Sequence, residues 1–352
     1  MVKVKDLTGS FVRKDEDGLI YLDIFNSDYI RLTGLAWKEK NNNYHRMDDE
    51  FTSQYSLGVN IRSNNTSGVQ AAVKTNTKKI GVYAQLNTPD FMEHMTDNGV
   101  GAVDIYKGNG SEKRFWQIAS NYNRSTMLKH TFACDGEMID YTFNLPLYSG
   151  MNKMEIGLEP DADIDFPTPF SVEKPVLFYG SSITQGGCAS RPGNNYVNTL
   201  SRLLNINIIN LGFSSNCRGE ELIANLISSL DLACFVMDYD HNAPNAEHLT
   251  DTHEKFFKII RKAHPELPVI LISKPDYDDN PSEGDKRKAV ILKTYNNALA
   301  EGDKNVYFVD GQKFFGDFLR DSCTVDRNHP TDLGFARMAE GVYPVLKQAL
   351  GL

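Results

Sequence analysis

Two short segments of this sequence carry side chains that together could perform acyl transfer. Ser182 lies in Gly180–Thr184, which reads GSSIT, and His329 lies in Asp326–Pro330, which reads DRNHP. A serine hydroxyl is a weak nucleophile at neutral pH and needs an adjacent base, and an imidazole that titrates near neutrality can serve as one. Asp326 precedes His329 by three residues, so a tight turn can bring its carboxylate to the imidazole, fix the tautomer and stabilise the imidazolium. We therefore predict Ser182 as nucleophile, His329 as base and Asp326 as its support.

Two further segments could stabilise the oxyanion that forms when a hydroxyl attacks an acyl carbon. They are Asn210–Ser215, which reads NLGFSS, and Asp240–Ala243, which reads DHNA. Hydrogen-bond donors that are held in place around a developing oxyanion lower the barrier of acyl transfer. We predict three donors: the backbone N–H groups of Ser182 and Ser215 and the side-chain amide of Asn242.

Several of these residues have simpler alternative roles. Ser182 could cap a helix that follows its strand, as serines often do. Ser181 could be the nucleophile in its place, although a hydrogen bond within the loop is the simpler expectation for it. Asn242 could be an ordinary turn residue.

Two residues near these segments are candidates for substrate binding. Arg191 follows the loop of the nucleophile and could recognise an anionic or hydroxyl-bearing substrate. His241 adjoins Asn242 and could contact the same substrate.

The second half of the chain alternates short apolar runs with segments of helical period. The predicted strands are Val176–Tyr179, Ile206–Leu211, Leu232–Met237, Val269–Ser273 and Val306–Val309. The predicted helices are Tyr196–Leu204, Glu220–Leu230, Ala246–His264, 285–300 and Asp332–Leu350. Strands so short and apolar are buried on both faces, which indicates an α/β fold with a parallel sheet between helices. The four polar segments follow strands, so they should meet at the carboxyl edge of the sheet, where such folds bind ligands.

The first half has a different pattern, with alternation of period two and frequent turn residues from Tyr21 to about Glu159. This pattern predicts an all-β sandwich or jelly roll. The predicted strands include Tyr55–Ile61, 69–74, 80–86, Val103–Tyr106, Arg114–Ile118, Met138–Phe143 and Met154–Leu158. The proline-rich stretch Pro160–Pro175 then favours an extended connector. We place the domain boundary near residue 172. This gives a β-sandwich domain, 1–172, which could contact the substrate, and a second domain, 173–352, which carries the candidate triad.

The four polar segments, in this order, resemble the blocks of the SGNH (GDSL-like) hydrolases, a family of esterases, lipases and acyltransferases. Gly180–Thr184 is similar to Gly-Asp-Ser-x-Ser/Thr, and Asp326–Pro330 matches Asp-x-x-His-Pro in full. Ser215 stands where the second block of the family has Gly. The third block of the family reads Gly-x-Asn-Asp, and Asn242 matches its Asn, whereas Asp240 and Ala243 replace its Gly and its final Asp. The resemblance covers about 174–350. It implies a flavodoxin-like three-layer domain in which the predicted triad and oxyanion donors have the roles given above.

The first half has a looser resemblance. Some SGNH enzymes carry an N-terminal β-sandwich marked by Gly-x-Asp-Leu-Tyr, and Ala102–Tyr106, which reads AVDIY, is similar. For such two-domain proteins the resemblance implies an acylated carbohydrate or another acylated small molecule as substrate.

Three functions are compatible with these residues. The first is a serine esterase that removes a small acyl group, such as acetyl, from an acetylated oligosaccharide or similar molecule. The second is an acyltransferase that uses the same triad, and the third is a noncatalytic carbohydrate-binding protein. None of them requires a cofactor. The remaining histidines, His94 among them, show no metal-ligand spacing, so no metal site is predicted.

Composition excludes other classes of partner. The formal net charge of -9 and the pI of about 5.4 argue against nucleic-acid binding, which needs a basic face. No apolar run approaches the roughly 20 residues of a membrane span, so no membrane partner is expected. The polar start of the chain and an odd, irregularly spaced set of five cysteines favour a reducing, cytoplasmic location.

Overall fold

The computed structural model describes residues 1–275 and 278–352. The strands are β1 (Val2–Lys3), β2 (Val12–Lys14), β3 (Ile20–Asp23), β4 (Arg31–Thr33), β5 (Gln70–Thr75), β6 (Lys79–Asn87), β7 (Val103–Lys107), β8 (Arg114–Ala119), β9 (Met127–Ala133), β10 (Ile139–Asn144), β11 (Gly150–Leu158), β12 (Asp163–Asp165), β13 (Val172–Gly180), β14 (Ile206–Gly212), β15 (Cys234–Asp238), β16 (Val269–Ile272) and β17 (Val306–Val309). The α-helices are α1 (Lys38–Asn41), α2 (Leu57–Ser63), α3 (Asp97–Gly101), α4 (Ser182–Gln185), α5 (Tyr196–Leu204), α6 (Glu221–Ile227), α7 (Ala246–Ala263), α8 (Pro281–Ala300) and α9 (Asp332–Ala349). In the described part of the chain, none of the helices has the length and apolar character that spanning a membrane requires.

The first half forms a sandwich of two antiparallel sheets. One sheet has the order β1-β12-β5-β10-β7-β8 with β4 also paired to β5, and the other has the order β2-β3-β11-β6-β9. Alternate residues of facing strands, such as Val73 of β5 and Val82 of β6, are fully buried in one core between the sheets. The period-two alternation read from the sequence reflects which residues of each strand face this apolar core.

The second half is a five-stranded parallel sheet with the order β14-β13-β15-β16-β17. Counted along the chain from β13, this is the flavodoxin-like order 2-1-3-4-5. Within β13, Leu177 packs on the side of α6, α7 and α8, whereas Phe178 packs on the side of α5 and α9. The strands are therefore covered on both faces, and the predicted three-layer α/β fold is confirmed.

One predicted strand is wrong. Residues 57–61 of the predicted strand Tyr55–Ile61 lie in α2 instead, and the Ser56 side chain caps this helix by accepting a hydrogen bond from the N–H of Val59 at 3.2 Å. Tyr55, two residues before the helix, and Val59 within it are buried, whereas Leu57 is exposed. The alternation of apolar residues here was fortuitous, because only residues four apart contact the core.

Side chains of the first half contribute to the hydrophobic core of the second half. The predicted boundary near residue 172 coincides with the start of β13, four residues before the strand we predicted. However, Trp37, Met47, Tyr55 and Val59 from the first half pack into the core of the parallel sheet. The segment around α1 and α2 thus belongs by packing to the second half.

A fully buried arginine joins the halves next to the carboxyl end of β14. The guanidinium of Arg46 donates to the carbonyl oxygens of Arg62 at 2.7 Å and Asn65 at 2.6 Å. It also donates to the carbonyl oxygens of Asn210 at 2.6 Å and Gly212 at 3.0 Å, both in β14. Burial lowers the pKa of Arg46 to about 9, so the group is still charged at neutral pH.

Replacing Arg46 with methionine should destabilise the whole chain. The variant keeps an apolar stem but leaves four carbonyl groups without their donor, so we expect a loss of about 3–5 kcal/mol in the free energy of unfolding. Urea unfolding followed by tryptophan fluorescence measures it. Arg124→Met, which removes an exposed ion pair with Asp97, is the control and should change stability by at most about 1 kcal/mol. Equal effects of the two variants would contradict a bridging role for Arg46.

Candidate active site

Ser182 is placed by the turn between β13 and the short helix α4. It is the first residue of α4, and Ser181 before it caps the helix by accepting a hydrogen bond from the N–H of Ile183 at 3.1 Å. The helix cap is therefore Ser181, which leaves the Ser182 hydroxyl free to point elsewhere. As the first residue of a helix, Ser182 also has a backbone N–H without an intrahelical partner.

The side chains of Ser182, His329 and Asp326 form one hydrogen-bonded chain. The hydroxyl of Ser182 lies 2.9 Å from Nε2 of His329, and Nδ1 of His329 lies 2.7 Å from Oδ2 of Asp326. The other oxygen of Asp326 accepts hydrogen bonds from the backbone N–H groups of Asn328 at 3.0 Å and His329 at 2.6 Å. This local turn orients the carboxylate before any substrate binds.

Opposing effects act on the carboxyl group of Asp326. Partial burial raises its pKa, but the hydrogen bonds from the side chain and backbone of His329 outweigh burial, and the net shift is downward. Asp326 is therefore a stable anion beside the imidazole, which favours the tautomer with its proton on Nδ1 and leaves the Nε2 lone pair facing Ser182.

The predicted oxyanion donors Ser215 and Asn242 lie in the loops that follow β14 and β15. The side-chain amide of Asn242 donates one hydrogen bond to the carbonyl oxygen of Phe213 at 3.0 Å, and its second N–H can serve a ligand. Ser215 has a φ of 63°, in the left-handed region where the family has Gly. The structure thus accommodates a side chain at this position while keeping its backbone N–H.

Buried polar side chains hold these loops against one another. Oε1 of Gln185 accepts a hydrogen bond from the N–H of Ser214 at 2.9 Å, and the amide of Asn210 donates to the carbonyl of Thr184 at 2.7 Å. At the end of β15, Asp238 accepts from the Thr184 hydroxyl at 2.8 Å. The helix α4, which begins at Ser182, is therefore fixed to the ends of the two neighbouring strands, β14 and β15.

The N-terminal half also contacts the helix α4, through residues that the sequence analysis did not single out. Tyr148 donates from its hydroxyl to the carbonyl oxygen of Ser182 at 3.4 Å, and Ser67 donates to the carbonyl of Gln185 at 2.5 Å. Asn65 accepts a hydrogen bond from the Gln185 amide at 3.0 Å. These contacts join residues far apart in the chain, and no sequence motif marks them.

The structure gives Arg191 partners other than a substrate. Nη1 of its guanidinium lies 2.7 Å from Oδ2 of the fully buried Asp104 and 2.6 Å from the Tyr106 hydroxyl. Its charge also lies 3.9 Å from the centre of the Phe115 ring. Asp104 and Tyr106 belong to the AVDIY segment, so this motif anchors the nucleophile loop. The geometry therefore favours a positioning role over the substrate contact that we predicted.

His241 contacts the loop that carries His329. Its Nε2 forms a hydrogen bond with the Oδ1 of Asn328, the residue before His329. This contact gives His241 a role in holding the loop, and its predicted contact with substrate stays a prediction.

Two side chains that the sequence did not connect lie beside His329. His94 comes from the loop before α3, and the centre of its ring is 5.5 Å from that of His329. Cys188 is buried next to them, and burial together with the charge of Asp326 raises the pKa of its thiol to about 12. A thiol with this pKa is a poor nucleophile. The ligand-type atoms of His94, Cys188 and His329 lie within 4.8 Å of one another, although the sequence had predicted no such cluster.

Comparison with known proteins identifies both halves. Residues 173–347 match the model of the GDSL-like lipase/acylhydrolase family, and residues 19–164 match the model of the N-terminus of SGNH-hydrolase-type esterases. The C-terminal half belongs to the GDSL-like lipase/acylhydrolase family. The two matches together make the chain a two-domain SGNH-type esterase, as its sequence blocks had predicted.

Solved structures share this two-domain architecture. A putative GDSL-like lipase from Bacteroides ovatus is 26% identical, with a TM-score of 0.83, over 95% of this chain and 98% of that one. A salicylyl-acyltransferase from a tetracycline biosynthetic pathway is 18% identical, with a TM-score of 0.76, over 98% and 99%. A family two carbohydrate esterase from Clostridium thermocellum is 14% identical, with a TM-score of 0.57, over 81% and 93%. No curated protein matched the sequence significantly.

The buried Asp238 of this SGNH-type esterase predicts a dependence of stability on pH. Burial raises its pKa from 3.8 to about 6. Between these values the folded chain binds more protons at this site than the unfolded chain, so Asp238 lowers the stability as the pH rises from about 4 to about 6. In Asp238→Asn this contribution disappears. We expect the free energy of unfolding at pH 4 minus that at pH 7 to be smaller in the variant by roughly 1–3 kcal/mol.

Urea unfolding at the two pH values measures the difference. Asp251→Asn, on the exposed side of α7, is the control and should follow the wild type. An unchanged pH profile in Asp238→Asn would show that Asp238 is ionised in the folded chain throughout this range.

Proposed function

We propose that this protein is a serine esterase that removes a small acyl group, namely acetyl, from an acylated carbohydrate through an acyl-enzyme. The observation that carries the proposal is the hydrogen-bonded chain from Ser182 through His329 to Asp326, at 2.9 and 2.7 Å. These distances are those of a nucleophile, a general base and an orienting carboxylate in acyl transfer.

In the first half-reaction His329 takes the proton of the Ser182 hydroxyl as the serine oxygen bonds to the acyl carbon. The carbonyl oxygen becomes an oxyanion, which the N–H groups of Ser182, Ser215 and Asn242 would stabilise. His329 then gives the proton to the oxygen of the leaving sugar hydroxyl, the ester bond breaks, and the acyl group stays on Ser182.

In the second half-reaction water attacks the acyl group. His329 takes a proton from the water, a second tetrahedral intermediate forms, and the same donors stabilise its oxyanion. The proton passes to the Ser182 oxygen as the acyl bond breaks, and the carboxylic acid leaves. Asp326 stays ionised throughout and stabilises the imidazolium at each step.

The narrow space next to Ser182 is an argument for a small acyl group. A side-chain atom at Gly187 would lie 2.9 Å from the Tyr148 hydroxyl and 3.3 Å from the His329 ring, so the space there is narrow. Cys188 and Ile183 are buried beside it. A short acyl chain fits between such groups more readily than a long one.

Support for a carbohydrate as the other part of the substrate comes from the comparisons. The Clostridium thermocellum esterase was solved in complex with cellohexaose, and an acetyl xylan esterase from Butyrivibrio proteoclasticus has the same fold at a TM-score of 0.54. The Asp326 side chain is 37% exposed, so the triad lies near the surface, where a bulky sugar chain could reach it. Acetylated oligosaccharides are therefore the first substrates to test.

An acyltransferase is the second candidate, because the fold match to the salicylyl-acyltransferase spans almost all of both chains. The first half-reaction is the same, and only the acceptor differs. Product analysis by mass spectrometry separates the two functions: free acetate indicates hydrolysis, whereas an acetylated acceptor indicates transfer.

The Ser182→Ala variant tests the nucleophile. We expect hydrolysis of p-nitrophenyl acetate to fall by at least about 10³-fold, because no acyl-enzyme can form. Ser181→Ala is the matched control: it removes the helix cap, costs about 0.5–2 kcal/mol of stability and leaves the reaction possible. If Ser182→Ala retains wild-type activity while Ser181→Ala loses it, the nucleophile is Ser181 and this proposal is wrong.

Two variants test the oxyanion donors. Ser215→Gly keeps the backbone N–H and adopts a positive φ without strain, so we expect near wild-type activity and a change in stability within about 1 kcal/mol. Asn242→Ala removes a donor, so kcat should fall by about 10²–10³-fold. Initial rates on p-nitrophenyl acetate measure both, and full activity in Asn242→Ala would exclude its amide from the oxyanion site.

A further inference from the structure

A cluster of three potential metal ligands adjoins the proposed general base. The ligand atoms of His94, Cys188 and His329 lie within 4.8 Å of one another. His94 is exposed and comes from the N-terminal half, whereas Cys188 is 6% exposed and comes from the loop after α4. The fold alone brings these three residues together.

Two imidazoles and a thiolate form a ligand set that zinc prefers. In a tetrahedral zinc site with Zn–N of about 2.0–2.1 Å and Zn–S of about 2.3 Å, the ligand atoms lie about 3.3–3.6 Å apart. The separations of up to 4.8 Å in the cluster exceed these values by at most about 1.2–1.5 Å, and the exposed side chain of His94 can move by this amount. A water molecule or the Ser182 hydroxyl can complete the tetrahedron.

Cys188 is held in place by its backbone as well as by burial. Its φ of 78° lies in the left-handed region, which is unfavourable for a residue with a side chain. The following residue is fixed by a hydrogen bond from the N–H of Ala189 to the carbonyl of Gly186 at 3.1 Å. When a divalent metal binds, a coordinating thiol gives up its proton to water.

The hydrogen bonds of His329 determine which of its two ring nitrogens can coordinate a metal. Nδ1 is bound to Asp326 at 2.7 Å, so the lone pair available to a metal is on Nε2. A carboxylate on the far nitrogen of an imidazole is the arrangement that typically orients metal-binding histidines. Nε2 is also the atom that lies 2.9 Å from the Ser182 hydroxyl. Metal binding and proton transfer from Ser182 therefore exclude each other.

We propose that zinc, or a divalent transition metal of similar ligand preference, binds His94, Cys188 and His329 and reversibly inhibits the enzyme by occupying its general base. The inhibition rests on the proposed function, whereas the binding does not. The N-terminal half then regulates the catalytic half through a single side chain, His94.

The first experiment measures binding without activity. Cobalt(II) is added to the untagged full chain after treatment with EDTA, and the near-ultraviolet band of a cobalt–thiolate bond is recorded. We expect the band in wild type and in Ser182→Ala, and we expect it to vanish in Cys188→Ser. Cys134→Ser, at a free cysteine of the N-terminal half, is the control and should keep the band. A band that is absent from wild type, or that persists in Cys188→Ser, overturns the site.

The second experiment measures p-nitrophenyl acetate hydrolysis against buffered zinc concentrations. Zinc should inhibit wild type, and EDTA should restore the rate. His94→Ala should keep the metal-free rate, and Cys188→Ser is compared with its own metal-free rate. Both variants should need at least about tenfold more zinc for half inhibition. His264→Gln, at a histidine at the end of α7, should behave as wild type. Inhibition at the same zinc concentration in wild type, His94→Ala and Cys188→Ser would place the inhibitory metal elsewhere and overturn the proposal.

The two experiments separate the two hypotheses. If the cobalt band depends on Cys188 but no ester is hydrolysed under any condition, the metal site stands and the proposed function fails. If esters are hydrolysed and the band is missing, the proposed function stands and the metal site fails.

Discussion

Within residues 1–275 and 278–352, the guanidinium of Arg46 has no carboxylate partner, and carbonyl groups from both halves of the chain accept its hydrogen bonds. A buried charge is expensive unless hydrogen bonds replace those of water, so the four carbonyls must stay where they are. Two of them belong to Asn210 and Gly212, at the end of β14, just before the loop that carries Ser215. The ring of Phe213 packs against the same guanidinium, with its centre 4.8 Å from the guanidinium carbon. A side chain of the first half therefore helps to position the loop of Ser215, a proposed oxyanion donor of the second half.

The candidate site is accordingly built by both halves. The parallel sheet brings together the loops of Ser182, Ser215 and Asn242, because the strands that precede them end at the same edge. From the sandwich, Tyr148 and Ser67 donate hydrogen bonds to backbone carbonyls of α4. Asp104, also from the sandwich, accepts a hydrogen bond from Arg191. A triad near the surface thus rests on a rigid support, and its geometry exists before a substrate arrives.

The sequence predicted those features that depend on local pattern. The strands and helices of the second half were predicted because their apolar runs are short and their turns carry polar residues, and Tyr196–Leu204 and Val306–Val309 match to the residue. The triad was predicted because its members fall in recognisable blocks, and the structure places their side chains within hydrogen-bond distance of one another. In contrast, Tyr55–Ile61 mimicked a strand, since four apolar residues happened to alternate with small or polar ones. Burial decides between helix and strand there, and burial depends on the partner that the segment finds.

The features that the sequence missed all depend on contacts between distant residues. Arg46 and His94 have no motif, and their partners lie far along the chain, so nothing near them in sequence indicates a role. Arg191 was predicted to bind substrate because it follows the nucleophile loop, but a buried carboxylate from the other half already neutralises it. The sequence does not show whether the negative charge that pairs with Arg191 belongs to a substrate or to a distant carboxylate such as that of Asp104.

The core shared by the two halves has a consequence for synthesis of the protein. Trp37, Met47, Tyr55 and Val59 are made early, yet the strand β13 against which they pack is made more than a hundred residues later. At about 5–20 residues per second, the ribosome needs roughly 5–25 s to supply that strand. During this interval the sandwich can close while a set of large apolar side chains stays open to water. The nascent chain therefore exposes an apolar surface for a time set by the rate of translation. Slower translation lengthens the period in which this surface can aggregate or bind chaperones.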